Sequence, residues 1–136
     1  MGAGAGGEAM ATVLVVEDQR TQREMIVSLL EQDGFQVLAA EDGDEAWALV
    51  RGGQIPDVVV MDVVMPRMNG YELVRRLRDN PQTKQIPVLM CSSKGETFDK
   101  HWGLKQGADA YIVKPFEPQD LLGTVRHLLR TPRGSG

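Results

Sequence analysis

Short, largely apolar runs alternate with helix-period segments along most of this chain, and that alternation constrains the fold more than any other feature. The runs are Thr12–Val16, Phe35–Ala39, Val58–Met61, Val88–Cys91 and Ala110–Val113. Largely apolar runs of four or five residues are too short for a buried helix, and they suit a strand covered on both faces. Between the runs, apolar residues recur at helical spacing: Ile26, Leu29 and Leu30 within 20–32, Ala46, Leu49 and Val50 within 44–51, and Leu73, Val74 and Leu77 within 71–78. Gly34 stops the first of these helices. A weaker helical pattern covers 98–106. A last one covers 118–129, with Pro118 suited to its first turn.

Five strands and five helices in strict alternation predict an α/β fold, a five-stranded parallel sheet with helices on both faces. Right-handed crossovers leave few topologies. The chain has 136 residues, enough for one domain. The predicted domain covers 11–130. The Gly/Ala-rich start, 1–10, and the end, 131–136, read as flexible tails or an appended tag.

Composition excludes several functions. Net charge is −4 and the isoelectric point is about 5.1, with the basic residues scattered. Sequence-independent nucleic-acid binding needs a basic surface, so no direct nucleic-acid contact is expected. No apolar run approaches the roughly 18 residues of a membrane span, and no secretory signal is visible, so the cytoplasm is the expected location and no membrane contact is predicted. The single cysteine, Cys91, rules out an internal disulfide or a cysteine zinc site, and reads as a buried reduced thiol. His101 and His127 have no partner motif. The seven methionines read as core filler. Trp47 is placed at the rim of the core, whereas Trp102 fits either packing or a partner anchor.

In open parallel sheets, ligands sit at the carboxyl ends of the strands. The residues that follow the predicted strands are Glu17 and Asp18, then Asp62, then Ser92 and Ser93, then Lys114. One polar residue at a strand end is ordinary solvation. Three carboxylates, a hydroxyl and a lysine on one edge are a constellation. The carboxylates repel one another, and a hard divalent cation such as Mg²⁺ relieves this through oxygen ligands while leaving room for phosphate oxygens. With Ser92 as donor and Lys114 as cation, the set matches what phosphoryl transfer to a carboxylate needs.

The segments VLVVED (13–18), VVVMDVVMPRMNG (58–70), VLMCSS (88–93) and YIVKPF (111–116) give the chain, from about residue 12 to 129, a resemblance to bacterial response-regulator receiver domains. The resemblance implies strand order 2-1-3-4-5, Asp62 as phosphoacceptor, and Asp18 and Asp62 as Mg²⁺ ligands. It implies that Glu17 acts mostly through a metal-bound water and that the backbone carbonyl of Val64 is a third protein ligand. It places Ser92 and Lys114 on the phosphoryl oxygens and makes Tyr111 a switch aromatic that turns inward when Ser92 moves. It also implies a cis Lys114–Pro115 bond and a third helix starting at Gly70 after a loop closed by Pro66. Val64 and Lys94 occupy positions that tune hydrolysis of the acyl phosphate. The implied partners are a histidine kinase or histidine phosphotransferase and a downstream protein target, with the chain a monomer or a dimer.

A narrower resemblance of 91–116 is to stand-alone regulators of type IV pilus twitching motility and phototaxis. The alternative is a receiver fragment of a longer regulator. No enzymatic activity is expected beyond phosphorylation and dephosphorylation at Asp62. An aspartate-dependent phosphatase is disfavoured, because Asp62-Val63-Val64 lacks the second aspartate of a DxD motif. Glu17-Asp18-Gln19 replaces the hydroxyl- and Gly-rich loop of a flavodoxin, and no P-loop is present.

Overall fold

The structure, a computed structural model, describes residues 11–93 and 97–131. The two expected tails apart from Thr131, and Lys94, lie outside the described residues. In chain order the elements are β1 (Thr12–Val16), α1 (Arg20–Gln32), β2 (Gln36–Ala40), α2 (Gly43–Arg51), β3 (Val58–Met61), α3 (Gly70–Asp79), β4 (Val88–Ser92), α4 (Thr97–Gln106), β5 (Ala110–Val113) and α5 (Pro118–Arg130). All five strands form one parallel sheet in the order β2-β1-β3-β4-β5, the order the resemblance implied.

The apolar strands are explained by their two-residue period. Leu14 and Val16, Val59 and Met61, and Val88 and Met90 face one core layer with α2, α3 and Ala108. Val13 and Val15, Val58 and Val60, and Leu89 and Cys91 face the other, with Ile26 and Leu30 of α1 and Leu121, Val125 and Leu128 of α5. Every one of these side chains is buried. Each fully buried valine or leucine contributes about 2 kcal/mol. An alternating polar residue on a central strand would therefore face an apolar layer instead of water.

Element ends follow local hydrogen bonding. The Gly34 N–H donates to the Glu31 carbonyl and the Phe35 N–H to the Leu30 carbonyl, while Gly34 has φ +96°. This pair of bonds closes α1 as a Schellman motif. It also corrects the second strand. Phe35, expected as its first residue, spends its N–H on the helix end, so pairing begins with Gln36 opposite Thr12. Asp42 and Asn69 accept the N–H groups of Glu45 and Glu72, which starts α2 at Gly43 and α3 at Gly70. The first of these is one residue earlier than predicted; the second is where the resemblance put it. Ser92, expected just after the fourth strand, is its last residue, opposite Val113.

The Lys114–Pro115 bond is cis, as implied. Trp47 packs at the rim of the first core layer. Met61, Met65, Met68 and Met90 are buried, but Met25 is 43% exposed and is not core filler.

Candidate phosphoryl-transfer site

The sheet register brings the predicted residues together. Val16 lies opposite Met61, Met61 opposite Met90, and Ser92 opposite Val113. The ladder then runs past the formal strand ends: the Asp62 N–H donates to the Val16 carbonyl at 3.0 Å and the Lys114 N–H to the Ser92 carbonyl at 2.8 Å. Asp62 and Lys114 thus have their backbones held by the sheet, whose rigidity positions their side chains.

Glu17, Asp18 and Asp62 each place a carboxylate oxygen within 4.8 Å of the other two. Their environments differ. Glu17 is 2% exposed and fully engaged, with Oε1 at 2.5 Å from the Lys114 Nζ and Oε2 accepting from the Gln19 N–H at 3.1 Å. Burial raises the Glu17 pKa, opposed by Lys114 and by the Gln19 N–H. Asp18 is exposed. Asp62 is half-buried: its Oδ1 accepts from the Val63 N–H at 2.7 Å, with the Val64 N–H at 3.4 Å, and its Oδ2 lies 3.5 Å from the Lys114 Nζ. Lys114 therefore bridges the buried and the half-buried carboxylate. The donor set is three hard oxygens of which two, on Asp18 and Asp62, remain accessible, and this fits a divalent cation that keeps most of its waters.

Ser92 is fully buried and Tyr111 half-buried. Burial raises the Tyr111 pKa, and a hydrogen bond shared with Ser92 lowers it. The ring lies against Gly103 of α4, where a side-chain carbon would come within 3.0 Å of the Tyr111 Cδ2 and of the Met90 Sδ. Ser92 and Tyr111 thus share a hydrogen bond, and α4 packs on the half-buried ring through a glycine. Val64 exposes 54% of its surface beside the cluster. Cys91, one residue before Ser92, is buried, and burial pushes its thiol up to about 12. His101 and His127 are exposed and stand apart from the acidic cluster. Trp102 is 40% exposed and meets Tyr71 edge-on, with ring centroids 6.5 Å apart, so packing accounts for part of its surface.

Three contributors escaped the sequence reading. Beside the cluster lies a cleft of about 430 Å³ lined by Gln19, Gln22, Met25, Asp62, Ser93, Lys114, Pro115 and Phe116. Its apolar rim comes from Met25 and Phe116, and an exposed methionine on a helix has no signature in one sequence. Arg23 of α1 donates from Nη1 to the Glu17 carbonyl at 2.9 Å, with the Asp18 carbonyl at 3.5 Å. Arg67, at φ +64°, pairs with Asp42 and lies 3.3 Å from Asp44, tying the loop after β3 to the start of α2. The available signal for Arg23 was a cation near a helix N-terminus, where anions are favoured.

Residues 13–126 match the family described as response regulator receiver domain. Protein PilH of Pseudomonas aeruginosa is 42% identical over 120 residues, covering 88% of this chain and 98% of PilH. The phosphate regulon transcriptional regulatory protein PhoB of the same organism is 40% identical over 119 residues, and there the chain spans only 52% of the relative. Among solved structures, the chemotaxis protein CheY4 of Vibrio cholerae superposes with a TM-score of 0.82 at 38% identity, covering 88% of this chain and 98% of that one.

Proposed function

The chain belongs to the response-regulator receiver family of two-component signalling, and from that premise we propose that it takes a phosphoryl group onto Asp62. The observation that carries the reading is the placement of Lys114 Nζ between Glu17 and Asp62, at 2.5 and 3.5 Å, beside three carboxylates converging within 4.8 Å. In the transfer, an Asp62 carboxylate oxygen attacks phosphorus of a phosphohistidine on a kinase or phosphotransferase. The P–N bond breaks, the electron pair stays on the imidazole, and the acyl phosphate forms. Lys114 and Ser92 face the phosphoryl oxygens. Asp18 and Asp62, with the Val64 carbonyl, would hold Mg²⁺, and Glu17 would reach it through water. Bound Mg²⁺ supplies charge neutralisation between the carboxylate and the phosphoryl oxygens.

The aspartyl phosphate adds roughly −1.5 to −2 charge, by analogy with other protein phosphates. That charge acts on Ser92 and, through the shared hydrogen bond, on Tyr111 and the α4 glycine beneath its ring. The α4–β5–α5 surface is the output, read by a downstream protein. The domain spans 11–130 and works in the cytoplasm. Similarity to PilH over 98% of that protein fits the narrower resemblance to motility regulators, and similarity to about half of PhoB fits the alternative, a receiver within a longer regulator.

Intact-mass spectrometry after incubation with acetyl phosphate and Mg²⁺ tests the proposal. The wild type gains one hydroxylamine-labile phosphoryl group and Asp62→Asn gains none. Stoichiometric phosphorylation of Asp62→Asn at this site would sink the assignment.

A further inference from the structure

Helix α1 begins against local preference. It has no acidic residue in its first turn, and its N-cap, Gln19, makes no side-chain cap. A helix N-terminus carries partial positive charge and favours anions. Here Arg20 and Arg23 stand at its start. Arg20 is exposed and is engaged with Glu24 one turn on, at 3.0 Å. Arg23 instead folds back over the helix start. Its Nη1 lies 2.9 Å from the Glu17 carbonyl oxygen and 3.5 Å from that of Asp18, while its own N–H donates to the Gln19 carbonyl at 2.9 Å. The guanidinium thereby ties down the Glu17 carbonyl and reaches that of Asp18 at the edge of hydrogen-bond range, while the Gln19 carbonyl takes the ordinary helical bond. Local rules broken without gain to the helix mark functional sites.

We propose that Arg23 is a positioning residue for the acidic cluster. It fixes the Glu17–Asp18 turn so that the exposed Asp18 carboxylate meets Asp62 in a geometry ready for a divalent cation. Glu17 does not need this help, because Lys114 and the Gln19 N–H hold both of its oxygens. Asp18 carries no such side-chain anchor among the described contacts, so its aim depends on its backbone. The inference rests on the phosphoacceptor reading and deepens it.

The guanidinium has two effects of opposite sign on a bound cation. Its charge repels the cation and weakens binding. Its hold on the turn removes ordering cost at the moment of binding and strengthens it. Arg23 is half-buried and its charge is screened by solvent and salt, whereas the positioning contact is direct. Positioning therefore outweighs repulsion, and the sign of one measurement separates the two.

The experiment is calorimetric titration of Mg²⁺ into the full chain and into Arg23→Ala, Arg23→Gln, Arg23→Lys and Asp18→Ala. Arg23→Ala weakens Mg²⁺ binding about five-fold or more, the equivalent of one lost hydrogen-bonded anchor. Arg23→Lys, which keeps the charge, stays weaker than wild type. Phosphorylation of Arg23→Ala by acetyl phosphate recovers at saturating Mg²⁺, which a general disruption of the site would not allow. Unchanged or tighter Mg²⁺ binding by Arg23→Ala overturns the inference. If that variant fails to fold, Arg23→Gln is held to the same criterion. A wild type that binds no Mg²⁺, or binding unaffected by Asp18→Ala, overturns the underlying reading instead.

Discussion

Gly70 is packed directly on Asp62: a side-chain carbon at Gly70 would run into the Asp62 carbonyl oxygen and come within 3.0 Å of the Val63 Cα. The Gly70 N–H also donates to the Val63 carbonyl at 2.9 Å. The start of α3 thus rests on the backbone of the residue proposed to take phosphate. Gly70→Ala should destabilise the protein by about 2 kcal/mol through overpacking, although alanine is the better helix former by about 1 kcal/mol. Urea unfolding checks this. An unchanged midpoint would mean the β3–α3 loop shifts freely.

Lys114→Met keeps the length of the side chain and removes its charge. Without metal, in EDTA, the buried Glu17 then loses its cation, and the fold should lose about 2 kcal/mol at pH 7. Burial already raises the Glu17 pKa, and loss of Lys114 raises it further. A raised carboxylate favours the folded state at low pH and works against it as pH rises through the folded value. The deficit of Lys114→Met should therefore shrink on acidification from pH 7. A deficit that stays constant between pH 7 and the ordinary carboxylate range would refute this account.

Asp42 caps α2 and pairs with Arg67. The Glu45 N–H holds its pKa below the ordinary 3.8, against burial, with help from Arg67. A depressed carboxylate contributes stability above its unfolded pKa and loses it as pH falls through the folded value. Asp42→Ala should cost about 1 kcal/mol at pH 7 as a lost cap. Asp42→Asn preserves the cap, so its smaller deficit should begin to shrink as pH falls below 3.8 and vanish once pH is below the lower folded value. Thermal melts of the three proteins across pH decide the matter.

Arg78, on α3, joins two loops, before β4 and before β5, at the end of the sheet remote from the site. Its Nε donates to the Gly107 carbonyl at 3.0 Å, and Nη1 to those of Ile86 at 2.7 Å and Lys84 at 3.1 Å. Its Nη2 lies 2.9 Å from the Asp109 Oδ2. That oxygen also accepts the Val88 N–H at the start of β4. Arg78→Ala should cost about 3 kcal/mol in chemical denaturation, and Arg78→Lys should recover little, since one ammonium cannot span the fork. Phosphorylation of the folded fraction should be unchanged.

The fold was legible because burial on both faces forces continuous apolar strands, and β1, β3 and β4 are such runs. Strand ends were less so. Phe35 has the side chain of a strand residue and the backbone bonds of a helix end, and only the second decides where pairing starts. Glu17, Asp18, Asp62, Ser92 and Lys114 were found through a rule about strand ends plus chemistry. Arg23, Arg67 and Arg78 were not. Each acts on backbone carbonyls or on acids distant in sequence, and a long flexible side chain does not announce where it lands. Met25 was misread for a related reason: an apolar residue on a helix reveals its face only when its neighbours' contacts are known.

Cys91 is the chain's one cysteine, and its thiol is sealed in the sheet, 1% exposed and pushed up to about 12. At neutral pH it is protonated and out of reach of maleimides. A cysteine introduced on an exposed helix position, such as Lys105→Cys on α4, would take a dye alone, with the native core left intact. The fold thereby offers a background-free place to attach a fluorescent reporter of helix movement.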